Sequence, residues 1–322
     1  MNEERVQELR GRFGERVTFD VPLARFTTLR IGGPAAALLD PRDPEDVSAA
    51  LPMCDSLGLP WLALGLGSNV LLPDEGFAGL VIRPGKGLAA TTREGPEDTM
   101  WTVGAGLPTP LLAKRSAAAG LGGVNRLIGV PGTVGGGVFM NAGAHGQEFR
   151  DVVRWVDIVS PTGALTRIDT ANIGWRYRGS GLEGIVVATQ IALEPQDPAS
   201  LQAALRRHLE WRRAGTPFDQ PCCGSVFRNP DPDIVPERAA HIEGPCTAGK
   251  LIDAAGLKGF RIGGAEVSTM HGNYIVNTGG ATAADVLAVI EAVREAVLER
   301  FDVTLRLEVK LIDTGEKRGS HD

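Results

Sequence analysis

Few residues in this chain have types and settings suited to chemistry. Arg178 lies in Trp175-Arg176-Tyr177-Arg178-Gly179-Ser180, between aromatic rings and a turn. Its planar guanidinium could clamp a carboxylate in a bidentate manner, or it could stack on Tyr177 at the surface, the commoner fate of such a residue. Ser225 lies in Cys223-Gly224-Ser225-Val226-Phe227-Arg228-Asn229-Pro230, where a neighbouring glycine could expose its hydroxyl to a substrate. No Gly-x-Ser-x-Gly elbow surrounds it, so hydrolase chemistry is not indicated, and by spacing alone it is a turn serine. Glu308 falls between Arg306 and Lys310 and reads as one charge on an ordinary solvated strand face.

Two glycine loops could hold a cofactor. Gly65-Leu66-Gly67-Ser68-Asn69 lies between two strand-like runs. A dinucleotide-binding turn needs a third glycine and a following helix, which Val70-Leu71-Leu72 does not supply, and no glycine run contains the Gly-Lys-Ser/Thr of a phosphate-binding loop. What remains is either a bare glycine hairpin or a strand-turn-strand nest whose amides, with Ser68 and Asn69, cradle a diphosphate. The second loop spans residues 128–144, from Ile128-Gly129-Val130-Pro131-Gly132-Thr133 through Gly135-Gly136-Gly137 to Asn141-Ala142-Gly143-Ala144. So glycine-dense a stretch loses much backbone entropy on ordering and packs few side chains. It suits a flat object such as a flavin ring lying against it, or a crossing of two sheets.

The elements that must position these residues alternate short strand-like runs with Gly/Pro turns from Thr27 to Leu193, interrupted by helical stretches over 43–57 and 110–119. This reads as α+β, not a regular doubly wound sheet. A polar break at Gln196-Asp197-Pro198 precedes a helical segment over 201–213 and marks the domain boundary. A helix over 283–301 follows, with Thr282 and Asp285 as its cap pair and an apolar stripe of Val286, Leu287, Val289, Ile290, Val293, Val297, Leu298 and Phe301. An alternating strand over 303–312 sets Val303, Leu305, Leu307, Val309 and Leu311 against Thr304, Arg306, Glu308 and Lys310. The expected layout is a first domain over 1–198 in two subdomains dividing near 85, a second domain over 199–302, a strand over 303–313 returning to the active site, and a disordered tail over 314–322.

Bulk properties exclude some classes. At 322 residues the chain suggests two or three packed domains. A net charge of −6 gives no electrostatic reason to expect a nucleic-acid partner, so any phosphate site must be built locally. The beginning lacks the apolar core of a signal peptide, and no apolar run is long enough for a membrane span. The four cysteines, Cys54, Cys222, Cys223 and Cys246, form no Cys-x-x-Cys pair and read as reduced thiols in a cytoplasm. The scattered histidines show no metal-ligand spacing.

Taken in order, the segments resemble the UDP-N-acetylenolpyruvoylglucosamine reductase family. The matching pieces are Thr27-Thr28-Leu29-Arg30-Ile31-Gly32-Gly33, the 65–69 loop, residues 130–146, Tyr177-Arg178-Gly179-Ser180 and Gly224-Ser225-Val226-Phe227-Arg228-Asn229-Pro230. Ala248-Gly249-Lys250-Leu251-Ile252-Asp253, His271-Gly272-Asn273-Tyr274-Ile275-Val276-Asn277 and Leu307-Glu308-Val309 complete the set, which covers residues 26–312. Each motif alone is weak; their order is specific.

The resemblance implies an FAD-binding fold of the vanillyl-alcohol-oxidase type in two subdomains, plus a smaller α+β substrate-binding domain. It implies a monomer that binds FAD non-covalently, takes NADPH as reductant and reduces the enolpyruvyl group of a UDP-sugar in peptidoglycan synthesis. Arg178 and Glu308 then match residues that stabilise an enolate-like intermediate, and Ser225 matches the proton donor to carbon. Arg30, Gly65, Gly67, Ser68, Asn69, Pro131, Gly132, Thr133, Gly135, Gly136, Asn141, Gly143, Ala144 and Tyr177 match cofactor-binding positions, and Asn229, His271 and Asn273 match substrate-binding ones. Three departures stand out. Gly215-Thr216-Pro217 replaces a Lys-Gln-Pro common in relatives, so a cation for the nucleotide phosphates is missing or is supplied by Arg212 or Arg213. Cys222-Cys223 stands where small residues are usual, and residues 231–246 look inserted. The short interval from Arg178 to Ser225, without a capping tyrosine loop, places the chain in the family's second form. The rival readings are an FAD oxidase of the same fold, with the flavin attached covalently through a residue such as His145, and a non-catalytic sugar-nucleotide-binding relative.

Overall fold

The computed structural model describes residues 1–231 and 237–315. Residues 232–236, part of the stretch read as an insertion, and 316–322, most of the tail expected to be disordered, lie outside the described residues.

The first body is built on two sheets. Strands Val17–Pro22, Pro34–Leu39, Phe77–Ile82 and Trp61–Ala63 form a four-stranded mixed sheet in that order, the first pair antiparallel and the others parallel. Helices α1 (Glu3–Phe13) and α2 (Pro44–Ser56) cover one face, burying Leu9, Phe13, Val47 and Leu51. The α2 start is legible in sequence: Asp43 accepts the Asp46 N–H at 2.9 Å, and Pro44 fits the first turn, where no amide partner is needed. The second sheet is antiparallel, ordered Leu165–Asp169, Val153–Val159, Ile185–Ala192, Met100–Gly104, Thr91–Glu94. Helices α3 (Thr109–Ala118) and α4 (Val134–Phe139) pack on it through Leu112, Val134 and Val138. Ile185 and Val187 instead join the core of the first sheet, so the two sheets share apolar contact.

Helix α5 (Pro198–Gly215) follows the proline break but packs backward. Its Leu201 and Leu205 cluster with Ala113, Ala117 and Ile128 of the first body. The break at 196–198 marks a change of element, and α5 packs against the chain before it.

The second body holds α6 (Ala248–Ala254), a small antiparallel sheet of Arg261–Ile262, Ala265–Val267 and Ile275–Asn277, and α7 (Ala283–Phe301). The expected capping box is present, with Asp285 N–H on Thr282 Oγ1 at 3.0 Å and Thr282 N–H on the Asp285 carboxylate at 3.1 Å. Asp74 of the first body adds a second cap, accepting from Ala283 N at 2.8 Å, which docks the two bodies. The α7 stripe is narrower than the sequence suggests: Val286, Val289, Ile290, Val293, Val297 and Phe301 are buried, whereas Leu287 is 38% and Leu298 45% exposed. Those two leucines are one residue past Val286 and Val297, about 100° round the helix from the buried line.

The terminal segment is not the continuous strand expected over 303–312. Val303, Leu305 and Val309 are buried as the alternation requires, but Leu311 is 39% exposed. The reason lies in its partners. Arg306 O and Glu308 N bond to Arg228 N and Val226 O of the second body, after which Lys310 N and Ile312 N bond to Asn69 O and Leu71 O of the first. Changing partners leaves only Lys310–Leu311 in a regular pairing, parallel to Val70–Leu71.

Candidate active site

The terminal segment lays Glu308 beside the Ser225 loop and brings it to Arg178. Arg178 Nε donates to Glu308 Oε1 at 2.8 Å, and both side chains are largely buried, 19% and 17% exposed. Arg178 also stacks over the Tyr177 ring at 4.7 Å, so the clamp and the stacked arginine, alternatives in sequence, occur together. Glu308 is therefore not on a solvated face. Burial raises its carboxyl above the usual range, against the lowering pull of Arg178 and Arg228. The turn that presents Arg178 is tight: Arg176 and Gly179 exchange both backbone hydrogen bonds, and Arg178 has φ of +57°. Such a backbone conformation is uncommon outside glycine and is held here by surrounding structure. Ser180 Oγ anchors the turn by donating to Phe139 O at 2.8 Å.

Ser225 follows Gly224, whose φ of +79° turns the chain at the cleft wall. The loop is fixed from below by Asn273, which is 4% exposed. Its Oδ1 accepts from Phe227 N at 2.9 Å, its Nδ2 donates to Phe227 O at 2.8 Å, and its backbone carbonyl takes the Val226 N–H at 3.0 Å. Expected to bind substrate, Asn273 has its amide committed to the loop instead. His271 plays a similar part: its Nδ1 accepts from Asn273 N at 3.1 Å, and burial lowers its pKa. Asn229 is exposed, with its Oδ1 holding Ala248 N at 3.2 Å at the start of α6. Tyr177, beneath Arg178, reaches the backbone of Asn229, which joins the two turns.

The two glycine loops meet. A Cβ on Gly65 would lie 2.6 Å from Thr133 Oγ1, and one on Gly132 would lie 2.9 Å from Ser68 Oγ. Gly67, at φ +60°, has no room for a side chain because Phe26 O would be 2.2 Å away. Residues 134–139 are not open loop but helix α4, capped by Thr133 Oγ1 on Gly136 N at 3.4 Å, and Gly135 and Gly137 admit Ala105 and Phe149 against it. Much of the glycine density thus serves close packing of chain on chain. Asn69 donates to Glu308 O at 3.2 Å, tying the first loop to the catalytic segment. Asn141, fully buried and expected to contact the cofactor, spends its side chain on Glu148, Arg176 O and Arg150 N. Gly143 and Ala144 form the first strand of a hairpin with Gln147–Glu148.

A cleft of about 370 Å³ opens between the bodies, lined by Thr27, Thr28, Arg30, Ser68 and Pro131 on one side and Thr216, Gln220, Pro221, Cys222, Gly224 and Tyr274 on the other. Its size suits a small-molecule site. Hydroxyls, a guanidinium and a serine at the meeting of two glycine loops are donors fit for a diphosphate, so the residues agree with a bound dinucleotide. Arg212, its guanidinium 5.2 Å from the Phe218 ring centroid, also lines the cleft, and Arg213 lines an adjoining pocket that shares Thr216, Phe218 and Asp219 with it. Sequence reasoning missed Glu148 and also Lys310, whose pKa is lowered by burial, Arg228 and Arg176. Nothing in their spacing pointed to them except that each neighbours a quoted motif. Among the described residues there is no three-residue metal cluster and no helix long and apolar enough to cross a membrane, and none of the four cysteines is disulfide-bonded.

Comparison with known proteins agrees along the whole chain. Residues 216–312 match the C-terminal domain of UDP-N-acetylenolpyruvoylglucosamine reductase, and residues 35–169 match an FAD-binding domain. The UDP-N-acetylenolpyruvoylglucosamine reductase of Bacillus velezensis is 38% identical over 95% of this chain and 97% of its own. That of Rubrobacter xylanophilus is 41% identical over 91% and 94%. The crystal structure of the Thermus caldophilus enzyme superposes with a TM-score of 0.76 at 34% identity, covering 92% of this chain and 97% of that one. An α+β FAD-binding fold, an intact Arg178–Glu308 pair beside Ser225, and this extent of identity lead to one conclusion: the chain belongs to the UDP-N-acetylenolpyruvoylglucosamine reductase family.

Proposed function

We propose that this chain catalyses the NADPH-dependent reduction of the enolpyruvyl ether of a UDP-N-acetylglucosamine to the lactyl ether, UDP-N-acetylmuramate, for peptidoglycan synthesis, with Arg178, Ser225 and Glu308 as its catalytic residues. The observation that carries the assignment is the buried Arg178–Glu308 pair, drawn from distant parts of the chain to the loop of Ser225. FAD, held non-covalently when bound, supplies hydride acceptance from NADPH and hydride delivery to the substrate's methylene carbon.

Hydride arriving at that carbon leaves negative charge on the neighbouring carbon and its carboxylate. Arg178 offers a fixed positive charge to that carboxylate, and a preorganised charge in a largely buried site is worth far more than one in water. Glu308, with its carboxyl raised by burial, keeps its proton to a higher pH than an ordinary glutamate and can share it with the enolate oxygen. Ser225 gives the proton to carbon. Arg212, which lines the cleft, is the cation offered to the nucleotide diphosphate in place of the family's lysine. A flavin attached through His145 is disfavoured by that ring's position, tilted against His208 with centroids 4.2 Å apart and edge-on to Trp211.

The test separates the half-reactions. In Ser225→Ala, NADPH bleaches the flavin at near the wild-type rate, while reoxidation by the enolpyruvyl substrate slows about 10²–10⁴-fold, the usual worth of a positioned proton donor. Slow bleaching with normal reoxidation would mean that Ser225 shapes the flavin site instead.

A further inference from the structure

Arg178 is shared by two carboxylates. Its Nε is on Glu308, and its Nη1 lies 3.8 Å from Glu148 Oε1, an ion-pair distance too long for a hydrogen bond. Among the described residues Nη2 donates no hydrogen bond, which leaves a guanidinium edge for an incoming anion. Glu148 is itself firmly placed. It is 18% exposed, its Oε2 accepts from Asn141 Nδ2 at 2.8 Å and pairs with Arg150 Nε at 3.1 Å, and its backbone N–H donates to Asp151 at 2.8 Å. Asn141 also donates to Arg176 O at 3.0 Å, so one buried amide fixes both Glu148 and the turn that carries Arg178.

We infer that Glu148 is a positioning residue: it holds the Arg178 guanidinium in place independently of the protonation state of Glu308. The need follows from the reaction proposed above, on which this inference rests. A carboxyl that shares a proton with substrate carries varying charge through the cycle, and a neutral Glu308 attracts Arg178 only weakly. Glu148 is itself held for this by Asn141 Nδ2 and Arg150 Nε, both on its Oε2. It also competes for Arg178, which weakens the pull of Arg178 on the Glu308 proton.

That competition gives a signature that mere structural support lacks. The charged groups facing Glu308 are Arg178 and Arg228, with the Tyr177 hydroxyl beside them, while Lys310 on the same segment faces Arg228 and Arg176. Those facing Glu148 are Arg150, Asp151 and Arg178. Removing the Glu148 charge frees Arg178 from its second carboxylate, so that its charge acts on Glu308 alone. The Glu308 carboxyl then ionises at lower pH.

The experiment uses the FAD-loaded full chain with Glu148→Gln, an amide that can still accept from Asn141 and Arg150. Flavin content and visible spectrum should match wild type. Substrate reoxidation of the reduced enzyme should slow about tenfold, and its alkaline falling limb should move to lower pH by roughly 0.5–1 unit. Carbon-13 NMR of labelled glutamate side chains should show the Glu308 titration moving the same way, independent of turnover. Glu148→Asp, with the charge kept but withdrawn, should give a smaller shift in the same direction. A limb and a carboxyl titration that stay at the wild-type position in both variants would overturn the inference, whatever the rate. Should the Gln variant not fold, the Asp variant decides: a shift supports the role and no shift ends it. Failure of the underlying reading is distinct, because wild-type enzyme would then show no reoxidation by the enolpyruvyl substrate.

Discussion

Arg178 and Ser225 are both presented by turns with one residue in the left-handed region, yet the turns are held by different means. The Arg178 side rests on charge: Glu308 on one edge of the guanidinium, Glu148 near the other, and a buried asparagine behind them. The Ser225 side rests on neutral backbone hydrogen bonds, with Phe227 clamped at both ends by Asn273 and Val226 bonded to Asn273 O and Glu308 N. The first arrangement places groups that must change charge or meet a charged substrate. The second fixes a hydroxyl whose position matters more than its field. Buried ion pairs contribute little net stability once desolvation is counted, whereas buried neutral hydrogen bonds are costly to break. The loop side should therefore dominate stability, and the charged side function.

The largest expected effect on stability follows from breaking the loop side. Asn273→Ala strands the Phe227 N–H and C=O in the interior, at about 1–3 kcal/mol each, so unfolding in urea should lose roughly 2–6 kcal/mol. Substrate reoxidation of reduced flavin should fall with it, as Ser225 loses its frame. An Asn273→Ala protein as stable as wild type would show that the loop is held elsewhere. On the charged side, Glu308→Gln should change stability by no more than about 1 kcal/mol, because Arg178 keeps Glu148 and the amide can still accept from Nε. The sign of the pH dependence is fixed by the direction of the shift. A carboxyl raised on folding contributes stability that is full below its unfolded pKa and is lost as pH rises through the folded one. Wild-type stability should thus decline through the window above 4.5, and Glu308→Gln should flatten that decline. A Gln variant that lost as much stability as Asn273→Ala would erase the distinction between the two sides.

The contrast also explains what the sequence discloses. Local signals gave helices readily: Asp43 before Pro44, and Thr282 with Asp285, set α2 and α7 within a residue or two, since caps and periodicity act over a few positions. The trio proposed as catalytic was legible only through the order of its motifs. Glu308 looks solvated in its own strand and becomes buried through contacts with residues 226 and 178. Glycines at 65, 67 and 132 signal close approach, but not whether the neighbour is a ligand or Thr133, Phe26 O and Ser68. Asn141 and Asn273 look like binding residues because buried amides and ligand-binding amides share one residue type. Their partners lie at positions 148 and 176 for one and 227 for the other, a relation that exists only in the fold.

The smallest expected effect concerns the hairpin that carries Glu148. His145, at φ +54° in its turn, lies tilted against His208 of α5 with ring centroids 4.2 Å apart, and Arg126 acts on both rings. Burial, then neighbouring positive charge, lowers both imidazoles below 6.5. The unfolded chain therefore binds these protons more readily than the folded one, so stability present above 6.5 is lost as pH falls below it. Both rings remain largely hydrated, which limits the loss to a few tenths of a kcal/mol, roughly, after solvent screening. Hydrogen exchange should locate the effect: on acidification from about 7 to 5.5, across the range where imidazoles titrate, amides of residues 143–148 and the end of α5 should open more often, while Val226 and Phe227 stay protected. His208→Gln should remove most of that response. Equal loosening of the Ser225 loop would show that the two sides of the site share one scaffold and that their separation into a charged and a neutral half is wrong.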